Sequence, residues 1–138
     1  MNYLLSYPRS GNSYVRFLLE SVTQMRTLDS AAVEDNIHND YSKRSSLIQY
    51  KDKSKILARK EHQPSKIIEE KAESLMLLVR DPIEAMGSHC LRTGIKPSNT
   101  KRIEEEVENY MVCVRYYDRY KRAKHIIRYE DVVSDPFN

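Results

Sequence analysis

The stretch Ser6–Glu20, SYPRSGNSYVRFLLE, decides the fold, because it joins two apolar patterns through a short polar loop. Before the loop, Asn2–Tyr7 is a short apolar run ended by Pro8, which predicts a buried strand. After the loop, apolar residues recur at helical spacing, at Val15, Leu18, Leu19 and Val22. We expect Asn12 or Ser13 to cap this helix. The stretch therefore predicts strand, tight loop and helix.

The rest of the chain alternates between strand and helix patterns. Strands are predicted around Ile56–Ala58, at Ser74–Val79 (SLMLLV) and at His125–Tyr129 (HIIRY). The continuous apolar run SLMLLV is typical of a central parallel strand that is buried on both faces. Helices are predicted from Pro64 through Ala72, from Asp81 to about Arg92, and from Thr100 to Arg122.

Local signals refine two of these helices, and one further segment is left without an element. Asp81 followed by Pro82 predicts a helix start, and Gly94 predicts its end. The buried face of the long helix is expected to contain Ile103, Val107, Tyr110, Met111, Val114 and Tyr117. The polar segment Thr27–Lys53 shows no sustained period, so no element is assigned to it.

Strands alternating with helices predict an α/β fold, with a right-handed parallel sheet and flanking helices in three layers. In such sheets ligands bind at the carboxyl ends of the strands. The unusual polar residues of this chain fall at those ends, namely Arg9, Lys60, His62, Arg80 and Tyr129. Their convergence predicts a site at one edge of the sheet.

The amino-acid composition limits the classes of protein to which this chain can belong. With 138 residues, 40% hydrophobic and 31% charged, the chain fits a single globular domain over residues 1–138. A net charge of +3 is too small to indicate nucleic-acid binding. Cys90 and Cys113 lie outside any metal-ligand or C-x-x-C spacing, which favours free thiols and no metal. The N-terminal run resembles neither a signal peptide nor a membrane span, so we expect a cytoplasmic protein.

The loop after the first strand suits an anion. A helix N-terminus offers unpaired N–H groups, Gly11 allows close approach, Arg9 adds a cation, and Ser10 and Ser13 add hydroxyls. The loop does not match the nucleoside-triphosphate motif G-x-x-x-x-G-K-S/T, because the second glycine and the lysine are absent. A phosphate or sulfate group and an ordinary capped loop both remain open at this point.

The segment YPRSGNSY resembles the 5′-phosphosulfate loop of sulfotransferases that use 3′-phosphoadenosine-5′-phosphosulfate (PAPS), whose usual form is Y-P-K/R-S-G-T/N-T/S-W/Y. The resemblance implies a sulfotransferase fold of the P-loop-NTPase-like type. It also implies that the loop binds the cofactor through Arg9, Ser10, Gly11, Asn12 and Ser13. Tyr14 falls where many relatives have a tryptophan against the adenine.

Three further segments resemble motifs of the same family in the same order. LLVRDPIEAMGSH supplies Arg80 and, eight residues later, Ser88, which the resemblance assigns to the 3′-phosphate. RKEHQPS matches K-x-H-x-P, which makes His62 the implied catalytic base beside Lys60. RYEDVVSDP resembles R-Y-E-D-L-x-x-D-P, in which the tyrosine, here Tyr129, lines the adenine pocket.

The resemblance implies transfer of a sulfuryl group from PAPS to a hydroxyl or amine acceptor, on a small molecule or a glycan, without a metal. Arg9 and Lys60 would assist His62 by charge. Family members continue past the R-Y-E-D segment into further helices and a basic, glycine-containing loop. We therefore expect this chain to lack the usual C-terminal part of the domain.

Two other functions are compatible with the same residues. A P-loop-like nucleotide kinase or hydrolase would need a magnesium-binding carboxylate, for which Asp81 is the only candidate at a strand end. A non-catalytic nucleotide-binding remnant would keep the fold without transfer.

Overall fold

The computed structural model describes residues 1–28, 47–52 and 54–135. The strands in these ranges are β1 (Asn2–Ser6), β2 (Arg26–Leu28), β3 (Ile56–Glu61), β4 (Ser74–Val79) and β5 (Ala123–Arg128). The helices are α1 (Asn12–Thr23), α2 (Lys66–Lys71), α3 (Pro82–Thr93), α4 (Thr100–Arg119) and α5 (Tyr129–Ser134).

The five strands form one parallel sheet in the order β2-β3-β1-β4-β5. The central strand is β1, and its Leu4 is paired with Lys60 of β3 on one side and Met76 of β4 on the other. The predicted α/β class and parallel sheet are confirmed. Because the strands are parallel, the loops after β1, β3 and β4 all leave from the same edge.

Helices cover both faces of the sheet, which is compatible with a three-layer α/β fold. On one face, Leu5 and Leu77 pack with Ile68 of α2 and Cys113 of α4. On the other face the core consists of residues from the sheet, α1 and α5, with Leu4, Val15 and Leu78 buried and Val132 packed against them. Alternate residues of β4 enter the two cores, which confirms that SLMLLV is buried on both faces.

The start of α3 matches its sequence signals. The Asp81 carboxylate accepts hydrogen bonds from the amides of Ile83 and Glu84, and Gly94 ends the helix with φ of 73°. The prediction for α1 was wrong in detail. Its N-cap is Gly11, which has no side chain to form a cap, and Asn12 is already helical.

The buried face of α1 also differs from the prediction. Val22 is 70% exposed, whereas Arg16 and Glu20 are buried. The Glu20 carboxylate accepts hydrogen bonds from the amide and hydroxyl of Thr27 and from the hydroxyl of Tyr50, while Arg16 donates to Thr27. Burial and the bond to Glu20 raise the pKa of Tyr50 to about 12. This network holds the short edge strand β2, which the sequence did not predict.

The buried face of α4 agrees with the prediction only in part, since Ile103, Tyr110, Val114 and Tyr117 are half-buried. Val107 and Met111 are 43% and 39% exposed, whereas Glu106 and Cys113 are buried. The hydropathy pattern failed here because the inner face of α4 meets polar loop ends as well as apolar strand residues.

Several sequence predictions fall partly or wholly outside the described ranges. They concern residues 29–46 and 53 of the polar segment, including His38, and Pro136 of the RYEDVVSDP motif. In the described ranges, none of the helices is both long enough and apolar enough to cross a membrane. Cys90 and Cys113 are free thiols, and burial raises the pKa of Cys113 to about 11.

Candidate functional site

The loop between β1 and α1 has an unusual backbone. Arg9 and Gly11 both have positive φ values, 65° and 86°. A non-glycine residue in this region is strained, and such strain is concentrated at ligand sites. Within the described part of the chain, no backbone carbonyl accepts a hydrogen bond from the amides of Gly11, Asn12 or Ser13. Uncapped amides at a helix start form a binding surface for an anion.

The position of the Tyr129 ring also requires glycine at position 11. A Cβ atom on Gly11 would lie 2.1 Å from Cδ2 of Tyr129. The Tyr129 ring therefore lies directly against the loop, and it meets the Tyr14 ring edge-on with 6.4 Å between centroids. The two tyrosines for which the family resemblance implies an adenine pocket are thus neighbours at the loop.

Arg80 connects the end of β4 to this loop. Its guanidinium donates to the backbone oxygen of Arg9 at 3.2 Å and lies 5.0 Å from the centre of the Tyr129 ring. It also pairs with Glu84 at 3.4 Å. Ser88, two turns along α3, accepts a hydrogen bond from Nε of Arg9 at 3.2 Å. Arg9, Arg80 and Ser88 therefore form one polar cluster.

The other polar residues of the loop differ in how accessible they are. Ser13 is exposed, whereas Ser10 is fully buried and its hydroxyl has no partner among the described residues. Asn12 donates from its amide to the Ser6 hydroxyl at 2.7 Å, and its Oδ1 is buried without a described partner. A ligand approaching from solvent would meet Arg9, Ser13 and the loop amides first.

His62 follows directly after β3 and lies against the end of β1. Its Nδ1 is 2.9 Å from the backbone oxygen of Ser6. A carbonyl oxygen only accepts hydrogen bonds, so Nδ1 carries the hydrogen and Nε2 is the basic nitrogen of the neutral ring. Lys60 lies within β3 rather than after it, half-buried, beside Leu4.

Helix α4 contacts all three strand ends, a feature that the sequence analysis missed. The hydroxyl of Tyr7 donates to Glu106 at 2.9 Å, and the hydroxyl of Tyr110 donates to the backbone oxygen of Arg80 at 2.8 Å. The thiol of Cys113 donates to the backbone oxygen of His62 at 3.4 Å. These three helix residues are spaced by four and three positions and share one face. We call them the α4 support stripe.

Glu106 is the polar centre of that stripe. Its buried carboxylate also lies 3.8 Å from Nε2 of His89 and 3.4 Å from the amide of Asn109. The Tyr7 ring meets His89 edge-on, and burial together with the bond to Glu106 strongly raises the pKa of Tyr7. A glutamate at helical spacing from Tyr110 and Cys113 is visible in the sequence, but a hydropathy pattern gives no reason to place a charged residue on the buried face.

Asp81, the only magnesium candidate at a strand end, is used structurally. Its carboxylate caps α3, and its amide donates to Glu130 of α5 at 2.7 Å. In the described ranges, no group of three or more histidine, cysteine, aspartate or glutamate residues is arranged to hold a metal ion.

Neither the models of known protein families nor the curated proteins contain a match to this sequence.

Proposed function

We propose that the protein is a sulfotransferase that passes a sulfuryl group from PAPS to a hydroxyl or amine acceptor. The observation that carries the proposal is the loop between β1 and α1. It combines helix-start amides that have no hydrogen-bond partner among the described residues with the guanidinium groups of Arg9 and Arg80 on its flank. Such a combination favours a multiply charged anion over a neutral ligand.

The arrangement fits a nucleotide with two anionic ends. The amides of the loop, Arg9 and Ser13 are available to the 5′-phosphosulfate. Arg80 and Ser88 lie beside Arg9 and would hold the 3′-phosphate, since a guanidinium pairs well with a dianionic phosphate. Tyr14 and Tyr129 offer aromatic surface to the adenine.

His62 would act as the general base. PAPS supplies the sulfuryl group when it is bound. Nε2 of His62 would take the proton of the acceptor, while the bond from Nδ1 to Ser6 fixes the orientation of the ring. Arg9 would act by charge alone, and Lys60 would add a second cation.

Binding of the desulfated product, 3′-phosphoadenosine 5′-phosphate, tests the nucleotide site. We expect it to raise the melting temperature more than ATP or ADP does at equal concentration. In an Arg80→Ala variant, affinity for this nucleotide should fall far more than affinity for adenosine 5′-phosphate, whereas Arg92→Ala, on the exposed end of α3, should change neither. Equal losses for both nucleotides in Arg80→Ala would remove Arg80 from the 3′-phosphate.

Transfer itself is tested with PAPS and a panel of hydroxyl and amine acceptors, including glycans. A general base typically contributes ~10²–10⁴ in rate, so His62→Ala should lower turnover by about that factor. Full transfer by this variant would refute the role of His62. Binding without transfer to any acceptor would favour a nucleotide-binding module, and magnesium-dependent ATP turnover would favour a kinase or hydrolase.

A further inference from the structure

A concave surface lies between α2 and α4, on the sheet face opposite α1. It has a volume of about 460 Å³, within the range of small-molecule sites. Its lining comes from the turn before α2, from α2 itself, from the second half of α4 and from the connection between α4 and β5. We call it the α2/α4 groove.

The groove is strongly basic. Four cations line it, Arg115, Arg119, Lys121 and Arg122, against a single carboxylate, Glu69. The resulting net charge of +3 equals the formal net charge of the whole chain. A cluster of cations of this kind attracts anions to the groove.

Two of the four cations are already engaged. Arg115 forms an ion pair with Glu108, and Arg122 donates to the backbone oxygen of Ala72 at 2.6 Å. Arg119 and Lys121 make no hydrogen bond or ion pair with the described part of the chain. Two adjacent charges are thus available to a ligand.

The floor of the groove is aromatic. The rings of Tyr116 and Tyr120 lie 6.3 Å apart between centroids, at an angle of 38°. The hydroxyl of Tyr120 donates to the same Ala72 oxygen at 3.0 Å, which fixes that ring. The hydroxyl of Tyr116 is buried and has no partner among the described residues. Aromatic surface under free cations suits a ligand with a ring and a doubly charged group.

We propose that the α2/α4 groove binds an organic dianion that carries a ring, such as an aryl phosphate. This site is separate from the nucleotide site. Tyr120 and Arg122 contact Ala72 just before β4 begins, whereas Arg80 follows the end of β4. A strand of this length spans roughly 20 Å, so Arg122 and Arg80 lie near opposite edges of the sheet.

Isothermal titration calorimetry with phenyl phosphate tests the proposal. We expect saturable binding that weakens by at least about tenfold in an Arg119→Ala/Lys121→Ala variant. The matched control is Arg92→Ala/Lys101→Ala, which removes the same charge from exposed positions elsewhere and should bind as the wild type does. Equal weakening in both variants would show a general charge effect and overturn the proposal.

Two further comparisons test whether the ring of the ligand contributes to binding and at which site the ligand binds. Inorganic phosphate should bind at least about tenfold more weakly than phenyl phosphate, because it cannot use the tyrosine floor. Equal affinity for both would overturn the assignment of a ring-bearing ligand. In an Arg9→Ala background, which removes a cation of the nucleotide loop, the Arg119→Ala/Lys121→Ala change should still weaken phenyl phosphate binding by at least about tenfold. No further weakening in that background would place the anion at the nucleotide loop instead.

Discussion

At the scale of single residues, the three glycines of the chain distinguish two reasons why a larger residue is unfavourable. One is a positive φ, and the other is a neighbouring atom where a Cβ would lie. Gly11 has positive φ and the Tyr129 ring where a Cβ would lie, Gly94 has positive φ with open space, and Gly87 is helical with open space. Alanine at positive φ costs roughly 1–2 kcal/mol, and the clash at Gly11 adds to that cost. Both constraints therefore act together only in the candidate site.

We expect unfolding free energy to fall most in Gly11→Ala, by more than about 2 kcal/mol, and less in Gly94→Ala. Gly87→Ala should be neutral or stabilising by up to about 1 kcal/mol, because alanine favours helix. Denaturant titration of the three variants measures this order. Equal stability of Gly11→Ala and Gly94→Ala would show that the Tyr129 ring moves aside without cost.

At the scale of elements, α4 is the helix that ties the candidate site together. Its support stripe contacts Tyr7 after β1, His62 after β3 and Arg80 after β4. Three strand ends that are distant in sequence are thereby fixed to one rigid element. This supports the relative placement of residues that the proposed reaction needs.

Replacing Glu106 by glutamine tests that role. The substitution keeps the shape but removes the charge that faces His89 and Tyr7, and it puts an amide donor in a buried polar cluster. We expect a loss of about 1–3 kcal/mol in unfolding free energy, seen as a lower melting temperature. Glu104→Gln, exposed on the same helix, is the control. If the two variants have the same melting temperature, the polar cluster around Glu106 does not hold the elements in place.

At the scale of the whole molecule, buried groups that carry a proton limit the stability of the fold at alkaline pH. Burial raises the pKa of Tyr7 and Tyr50 as well as that of Cys113, so the folded state holds protons that the unfolded chain releases. For Cys113, this stabilisation is complete below pH 9.0, its unperturbed pKa, and is lost as pH rises through about 11. The fold should therefore weaken in alkali.

Denaturant unfolding of the wild type at pH 8 to pH 11 should show this decline. In Cys113→Ala the decline should be shallower, because one of the groups that bind protons in the folded state is gone. Cys90→Ala keeps Cys113 and should follow the wild-type slope. Identical slopes for wild type and Cys113→Ala would mean that the buried thiol does not contribute.

The sequence by itself determined the alternation of strands and helices, the bounds of β4 and the start of α3. These features depend on local signals, namely a continuous apolar run, Asp81 before Pro82, and Gly94 at the end. It also placed Arg9, His62 and Arg80 at strand ends, because a parallel sheet brings such ends to one edge.

Only the tertiary structure decided which side chains support that edge. Glu106 faces inward and Val107 outward because α4 packs on the polar ends of three strands, and hydropathy along one helix carries no information about those partners. For the same reason Arg16 and Glu20 of α1 are buried, since they meet Thr27 and Tyr50, whose positions depend on the paired sheet. Local sequence sets the elements, and their packing sets the polar contacts.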